Sequence, residues 1–373
     1  MTENYTIEAD AGAMMKAPEI EYKPARDFDR KLKIGMIGCG GITKQHLSGY
    51  KKGGYEVVAF ADLDNERACE RRDEFYPKAK VYDTHKELLN DRDVEIVDIA
   101  THPDVRAALI KDAIEAKKHV LSQKPFVLDL KTGEELTELA DDAGVCLAVN
   151  QNGRWAPHVS YMREAINVGL VGDVTSISMT VAWDHNWVKG TAFDEMPHLV
   201  LYDFAIHWFD MVNCYMGDRE AKRVFANVCH CSGQDAKPPL GATVNIEYED
   251  ALVTMHFDAN TRFGARDTTL IVGTKGSLRS DGVSLGEQEL SITMEQGTAA
   301  VELEGSWFPD GFDGTISELM SAVDHGRVAR HSARDNLKSL AMAFAAMASA
   351  EKGVAVDVGD ATCIEPSWLK YGD

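Results

Sequence analysis

Three side chains in this 373-residue chain have the types needed to move a proton: Lys124, Asp203 and His207. Asp203 and His207 stand four apart in a run over 197–216 whose neighbours (Leu199, Val200, Leu201, Phe204, Ile206, Phe209) are apolar. The spacing predicts a largely buried helix with carboxylate and imidazole on one face. Polar groups in such a place must be satisfied by each other or by a ligand. Imidazole titrates near neutrality and suits the removal of a hydroxyl proton. A structural Asp–His pair closing a core fits the same spacing. Asp210, three past His207, could orient the ring instead, and Trp208 and His198 lie close by. Lys124 ends the stretch Val120-Leu121-Ser122-Gln123-Lys124-Pro125. Proline cannot donate a ladder hydrogen bond, so sheet pairing should stop there. If the run is a parallel strand, Lys124 lies at its carboxyl end, the edge where open α/β sheets bind ligands. Taken alone it reads as a solvated loop lysine.

A second group could hold a dinucleotide. Gly38-Cys39-Gly40-Gly41-Ile42-Thr43 falls between an apolar run at 32–37 and a helical pattern at 43–52. Gly38 allows a tight turn, and Gly40 lets backbone approach a pyrophosphate at a helix N-terminus. The third fingerprint position is Thr43 rather than a small residue. Asp62 ends the next apolar run, 22 positions after Gly40, close to the expected separation of about 20. A carboxylate there accepts hydrogen bonds from ribose hydroxyls and repels a 2′-phosphate. Leu63 beside it supplies no cation, so NAD is expected over NADP. An Asp that caps a helix is the plainer reading of Asp62.

The elements that would position these groups alternate in the first half. Apolar runs at 32–37, 55–61, 94–100, 120–122 and 145–149 are interleaved with helical patterns at 43–52, 65–75, 103–116 and 130–143, the last closed by Gly144. That rhythm predicts a Rossmann-type doubly wound parallel sheet. Past Asn150 the pattern changes to a helix at 158–168, a strand at 174–183, and period-two runs at 223–231, 242–248, 252–260, 268–272 and 290–294. Helices at 316–323 and 336–350 follow. Consecutive strands joined by short turns predict an open antiparallel or mixed sheet. The expected organisation is an arm at 1–30, a dinucleotide-binding domain at 31–150, and an α/β domain for substrate binding and oligomerisation at 151–373. The arm has no periodic apolar face and is expected to be disordered or to lie on a neighbour.

Composition narrows the partners. The net charge is −21, with 39 Lys+Arg against 60 Asp+Glu, which argues against nucleic acid or an anionic membrane surface. No basic-then-apolar leader and no membrane-length apolar run is present, and seven scattered cysteines make no disulfide framework, so reduced thiols and a cytoplasmic setting are expected. Cys229-His230-Cys231 lacks a second ligand pair, and no metal is expected.

Taken together, these motifs resemble the glucose–fructose oxidoreductase and inositol dehydrogenase family, Gfo/Idh/MocA, over residues 31 to about 358. The matching signatures are the glycine loop through Gly41 and Ile42, Ala100-Thr101-His102-Pro103, Lys118-His119-Val120-Leu121-Ser122-Gln123-Lys124-Pro125, Asp203-Phe204-Ala205-Ile206-His207, and Gly273-Thr274-Lys275-Gly276. The resemblance implies a Rossmann domain followed by an α/β domain with an open, predominantly antiparallel sheet, and an NAD-dependent oxidation or reduction of a sugar, cyclitol or polyol hydroxyl. It implies that Lys124 contacts the nicotinamide ribose and the reacting hydroxyl, Asp203 binds substrate and supports the charge network, and His207 is the acid/base. Thr101, His102 and Pro103 would border the cofactor, and Asn152 and Arg154 would line the cleft for cofactor and, through Arg154, substrate. Trp183, Asp184, His185 and His198 would face the sugar. The family pattern is left at three positions: Gln123 for Glu, Arg106 for His, and Thr43 for a small residue. Two other classes share the pattern, an enzyme that uses bound NAD transiently for elimination or glycoside hydrolysis, and a dinucleotide sensor without catalysis. The open sheet face should be covered by a second copy in a homodimer or homotetramer.

Overall fold

Residues 13–370 are described by the computed structural model. Six parallel strands form the first sheet: β1 (Ile34–Ile37), β2 (Val57–Ala61), β3 (Lys80–Tyr82), β4 (Ile96–Ile99), β5 (His119–Gln123) and β6 (Leu147–Asn150). Their order is β3-β2-β1-β4-β5-β6, so the direction of winding reverses between β1 and β4. Strands β1, β4 and β6 are buried along their whole length, as expected of strands covered on both faces. The connecting helices are α1 (Thr43–Gly53), α2 (Asn65–Phe75), α3 (His85–Asn90), α4 (Pro103–Glu115) and α5 (Leu130–Ala143). Their ends follow local chemistry. Asp64 and Asp129 accept from Arg67 N–H and Thr132 N–H to start α2 and α5, and Gly144 ends α5 in the left-handed region. The short pair β3–α3 has no counterpart in the sequence reading. β3 is three half-exposed residues, too short for an alternation to register.

The second sheet has nine strands: β7 (Val174–Ala182), β8 (Arg223–Cys229), β9 (Gly241–Glu247), β10 (Leu252–Asp258), β11 (Arg266–Gly273), β12 (Gly276–Ser284), β13 (Glu287–Met294), β14 (Gly297–Val301) and β15 (Val356–Asp357), in the order β14-β13-β12-β11-β7-β10-β9-β8-β15. Only β7 and β10 pair in parallel; the other pairs are antiparallel. Alternation is strict in β9 and β10, whose inner residues Val244, Ile246, Val253 and Met255 are buried while Thr243, Asn245, Thr254 and His256 face outward. The inner face carries α6 (Pro157–Asn167), α7 (Ile206–Met216) and α9 (Ala333–Lys352).

Two expectations change. The described part of the arm packs on its own chain. Met15 N–H bonds to Thr298 O at 3.0 Å, Tyr161 Oη to Pro18 O at 2.9 Å and Ser160 Oγ to Tyr22 O at 2.6 Å, while Ser317 Oγ bonds to Ala25 O and Arg26 pairs with Asp313. Residues 1–12 of that arm fall outside the described residues. The chain leaves the parallel sheet at Asn150, but α8 (Asp310–Asp324) returns to it: Ile316, Leu319 and Met320 share one buried cluster with Ile34, Leu47, Tyr50 and Phe60. The dinucleotide-binding half is therefore built from two separate lengths of chain.

Candidate active site

Lys124 follows the last residue of β5, on the edge where the loop after β1 also emerges. Gln123 takes the Lys124 N–H on its own Oε1 at 3.1 Å. The Lys124 ammonium reaches across to the second half of the chain, 2.9 Å from the Asp203 carbonyl and 3.3 Å from Asp203 Oδ1. Both side chains keep 16% of their surface open, so the pair is neither sealed nor free. Lys124 is thus not the solvated loop lysine that the local sequence also allows.

The segment that carries Asp203 is not a plain α-helix. Val200–Phe204 is a π turn, with Ala205 N–H bonded to Val200 O at 2.8 Å, and α7 begins only at Ile206. The extra residue in that turn displaces the four-residue stacking on which the sequence reading relied. Asp203 turns to Lys124, whereas His207 packs edge-on against Trp307 with ring centroids 5.3 Å apart. His207 Nδ1 is buried and has no hydrogen-bond partner among the described residues. Burial, with the Lys124 charge adding to it, holds the His207 imidazole well below its usual range, so it is neutral at pH 7. Asp210 does not orient His207. Its carboxylate accepts from Arg154 Nε at 2.6 Å and Nη2 at 2.7 Å, and from Ser339 Oγ at 3.1 Å.

Arg106 accounts for one departure from the family pattern. It is 1% exposed, and its guanidinium donates to the carbonyls of Thr101 and Pro125. It thereby ties the loops leaving β4 and β5 to each other. Burial lowers it to about 10, with Tyr202 and Asp203 opposing the fall. An imidazole could not present two parallel donors to both carbonyls.

The glycine loop fits a dinucleotide. Gly38 has φ +89°, and a Cβ there would sit 2.7 Å from the Ala100 carbonyl, so only glycine fits. Side chains built at Gly40 or Gly41 would meet nothing within 4 Å. Ile42, at the N-terminus of α1, gives no side-chain cap. Thr43 is fully buried and donates to the Gly40 carbonyl at 2.5 Å, so its hydroxyl stiffens the loop instead of blocking it. Asp62 accepts Cys39 N–H at 2.6 Å and Asp64 N–H at 2.8 Å, joining the loop to the end of β2. His102 is the residue before α4 and Pro103 its first, and Thr101 Oγ1 is buried without a partner among the described residues. These residues would hold NAD: the open glycine backbone its pyrophosphate, Asp62 its ribose edge.

Other predicted residues divide. His185 packs beside the turn that carries Asp203: its ring stacks on Trp183 at 5.7 Å and against Phe204 at 4.2 Å, and burial lowers it to about 4, with Asp184 and Asp203 opposing. Asp184 is exposed and caps its own turn through Asn186 N–H at 3.0 Å. His198 is engaged elsewhere, with Nε2 2.7 Å from Glu351 and its ring on Trp368. Arg154, 3% exposed, presents nothing to a cleft, because Asp210, Asp335 and the Arg330 carbonyl take its donors. Asn152 is likewise buried, and its Oδ1 accepts Trp307 Nε1 at 2.7 Å. For Asn152, Arg154 and His198 the geometry therefore gives an internal role in place of the expected contact with cofactor or sugar.

Trp307, Phe204 and Arg67 also reach these groups, though none is among the residues that the sequence singles out. Trp307 reaches His207 from a hundred residues further along the chain, and nothing local marks it. Arg67 stands one turn into α2, 3.8 Å from Asp62 and 3.2 Å from Asp64, and supplies the cation that Leu63 does not. Its spacing of five from Asp62 at a strand-to-helix junction was the available signal.

Known proteins resemble this chain along most of its length. The sequence profile of the GFO/IDH/MocA oxidoreductase family, NAD-binding Rossmann fold, matches residues 32–151, and that of the GFO/IDH/MocA C-terminal domain matches residues 159–279. The chain is 26% identical to a D-apiose dehydrogenase of Paraburkholderia graminis over 88% of its length and 90% of that protein's. It is 25% identical to a myo-inositol 2-dehydrogenase of Thermotoga maritima over 86% and 97%. Its fold superposes on an Agrobacterium radiobacter oxidoreductase solved with NAD+, L-tartaric acid and magnesium, with a TM-score of 0.80 at 22% identity, over 88% of this chain and 99% of the other.

Proposed function

Because the chain belongs to the GFO/IDH/MocA oxidoreductase family, with its NAD-binding Rossmann fold, we propose that it is a dehydrogenase acting on a secondary hydroxyl of a sugar, cyclitol or related polyol. The observation that carries this reading is the meeting of Lys124 and Asp203 at the carboxyl edge of the parallel sheet, the same edge as the open glycine loop, with His207 at the start of α7. The relatives named for D-apiose and myo-inositol supply the substrate class.

Bound NAD supplies the hydride acceptor. Neutral His207 takes the hydroxyl proton as the carbinol oxygen becomes negative. The Lys124 ammonium stabilises that oxygen, and Asp203 keeps the ammonium aimed. Trp183, His185 and Phe204 offer flat faces to ring carbons, which orients the alcohol. Arg106 fixes the loops at 101 and 125 and so sets the height of Lys124 above the sheet.

The test is a panel of sugars, cyclitols and sugar acids with NAD, scored by NADH formation, then repeated with Lys124→Ala and His207→Ala. Each variant should retain NAD binding by calorimetry, while turnover falls at least about a hundredfold. Near-normal turnover in both would overturn the assignment. The open face of the second sheet, with Leu252 at 63% and Leu270 at 40% exposure, supports a homodimer or homotetramer; a monomer by light scattering at micromolar concentration would refute it.

A further inference from the structure

Cys229 ends β8 and Cys231 follows two residues later, so in extended backbone both sulfurs project to one side. In the β8–β9 register Cys229 faces Gly241. A Cβ built on Gly241 would lie 2.6 Å from the Cys229 sulfur and 3.1 Å from the Cys231 sulfur. Two thiols on different residues thus converge on one point, over a strand position with no side chain to separate them. They also interact: the Cys231 thiol is pushed up to about 11, first by burial and then by Cys229 and Asp258. Cys229 is exposed and Cys231 partly so. His230 points elsewhere, 3.3 Å from Gln234 Nε2, and no cluster of three metal-ligating side chains occurs among the described residues.

We propose that Cys229 and Cys231 form a reversible dithiol–disulfide site that reacts with low-molecular-weight disulfides such as oxidised glutathione. Cys229, the accessible thiol, attacks one sulfur of the glutathione disulfide as its thiolate. The glutathione S–S bond breaks, one glutathione leaves, and a mixed disulfide forms. Cys231 then loses its proton to solvent and attacks the Cys229 sulfur, and the second glutathione leaves. Two protein thiols give up two electrons and two protons, and one glutathione disulfide becomes two glutathiones. A bridge closing so small a ring is strained and easily reduced, which suits a reversible site rather than a structural one. The site also has a mechanical neighbour. Ser232 O accepts from Asn260 Nδ2 at 3.2 Å, and Asp235 N–H donates to Asn186 Oδ1 at 2.6 Å. The bridge would therefore form on the loop that braces residues 184–189.

The test uses the full-length chain in a glutathione redox buffer, followed by peptide mass mapping. The peptide carrying both cysteines should lose about 2 Da, and dithiothreitol should restore it. Cys231→Ser should stop at a Cys229 glutathione adduct of about 305 Da, and Cys229→Ser should block the reaction of this peptide. A parent chain that keeps the adduct without closing has a lone reactive thiol, and the proposal fails. It fails equally if exposed Cys363 reacts while the 229–231 peptide does not. None of these readouts depends on dehydrogenase activity.

Discussion

Replacing Asp210 with Asn separates two roles that the sequence leaves open. In the structure Asp210 is 1% exposed and holds Arg154, itself 3% exposed, through two charge-assisted bonds of 2.6 and 2.7 Å. Burial opposes the Arg154 charge, yet Asp210 outweighs it and keeps the guanidinium well above its ordinary value. Removing one partner of such a pair strands the other charge, at a cost of about 3–5 kcal/mol. Asp335 stays 2.8 Å from Arg154 and is partly exposed, which favours the lower end. With about 2.1 cal/mol/K per residue over 373 residues, 3 kcal/mol lowers the melting temperature by about 4 °C if the chain unfolds as one unit. Arg154→Met combined with Asp210→Leu should recover much of the loss, because the double change removes both buried charges. Thermal unfolding followed by circular dichroism measures all three proteins. Turnover per folded Asp210→Asn molecule should stay within about tenfold of the parent, since no bond joins Asp210 to His207. A variant as stable as the parent, or a stable variant that has lost turnover, would refute this reasoning.

Mild acid should destabilise the protein through its buried histidines. Burial lowers His158 and His185 to about 4 and His331 to about 3. The unfolded chain takes up these protons as pH falls through about 6.5 while the native state does not, so stability present above that pH is lost below it. Each group contributes about 1.4 kcal/mol per pH unit, and Asp267, raised by burial to about 7, offsets one of the three. These four groups together give a loss of about 3 kcal/mol per unit between pH 6 and pH 5, to which buried His207, also held low, adds, and an unchanged urea midpoint between pH 7 and pH 5 would contradict it. Gly40→Ala should leave stability within about 1 kcal/mol but weaken NAD binding at least about tenfold by calorimetry, because its Cβ fills the open ground of the loop. Gly38→Ala should instead destabilise by about 1–3 kcal/mol through its positive φ and the Ala100 carbonyl. Asp62→Ser should raise the NADP-to-NAD ratio of kcat/KM about tenfold, since the carboxylate that repels a 2′-phosphate is gone while Arg67, still paired with half-exposed Asp64, stays within reach; an unchanged ratio would place discrimination elsewhere.

The parts of the fold that sequence could show are those written in local chemistry. The patterns at 65–75 and 130–143 coincide with α2 and α5 because Asp64, Asp129 and Gly144 mark their ends. Lys124 was legible because proline, strand and sheet edge coincide at one place. The π turn was not, since an added residue in one turn leaves the run of apolar side chains around Asp203 unchanged while rotating α7 about its axis. For Asn152 and Arg154 the family resemblance implied a place in the cleft, yet their partners Trp307 and Asp210 come from distant chain that no local spacing reveals. The same holds for Arg106, whose two carbonyl partners lie on separate loops.

The return of α8 to the first sheet has a consequence for synthesis. All six parallel strands are complete once residue 150 has been made, but the helix that covers Leu47 and Tyr50 ends at Asp324. At about 5–20 residues per second the ribosome needs roughly 9–35 s to cross that interval. Throughout it, the nascent nucleotide-binding half carries an uncovered apolar face. A chaperone that recognises such faces should engage the chain in this window and let go when α8 emerges. The stage of manufacture most open to aggregation therefore falls after the Rossmann strands are in place, not before.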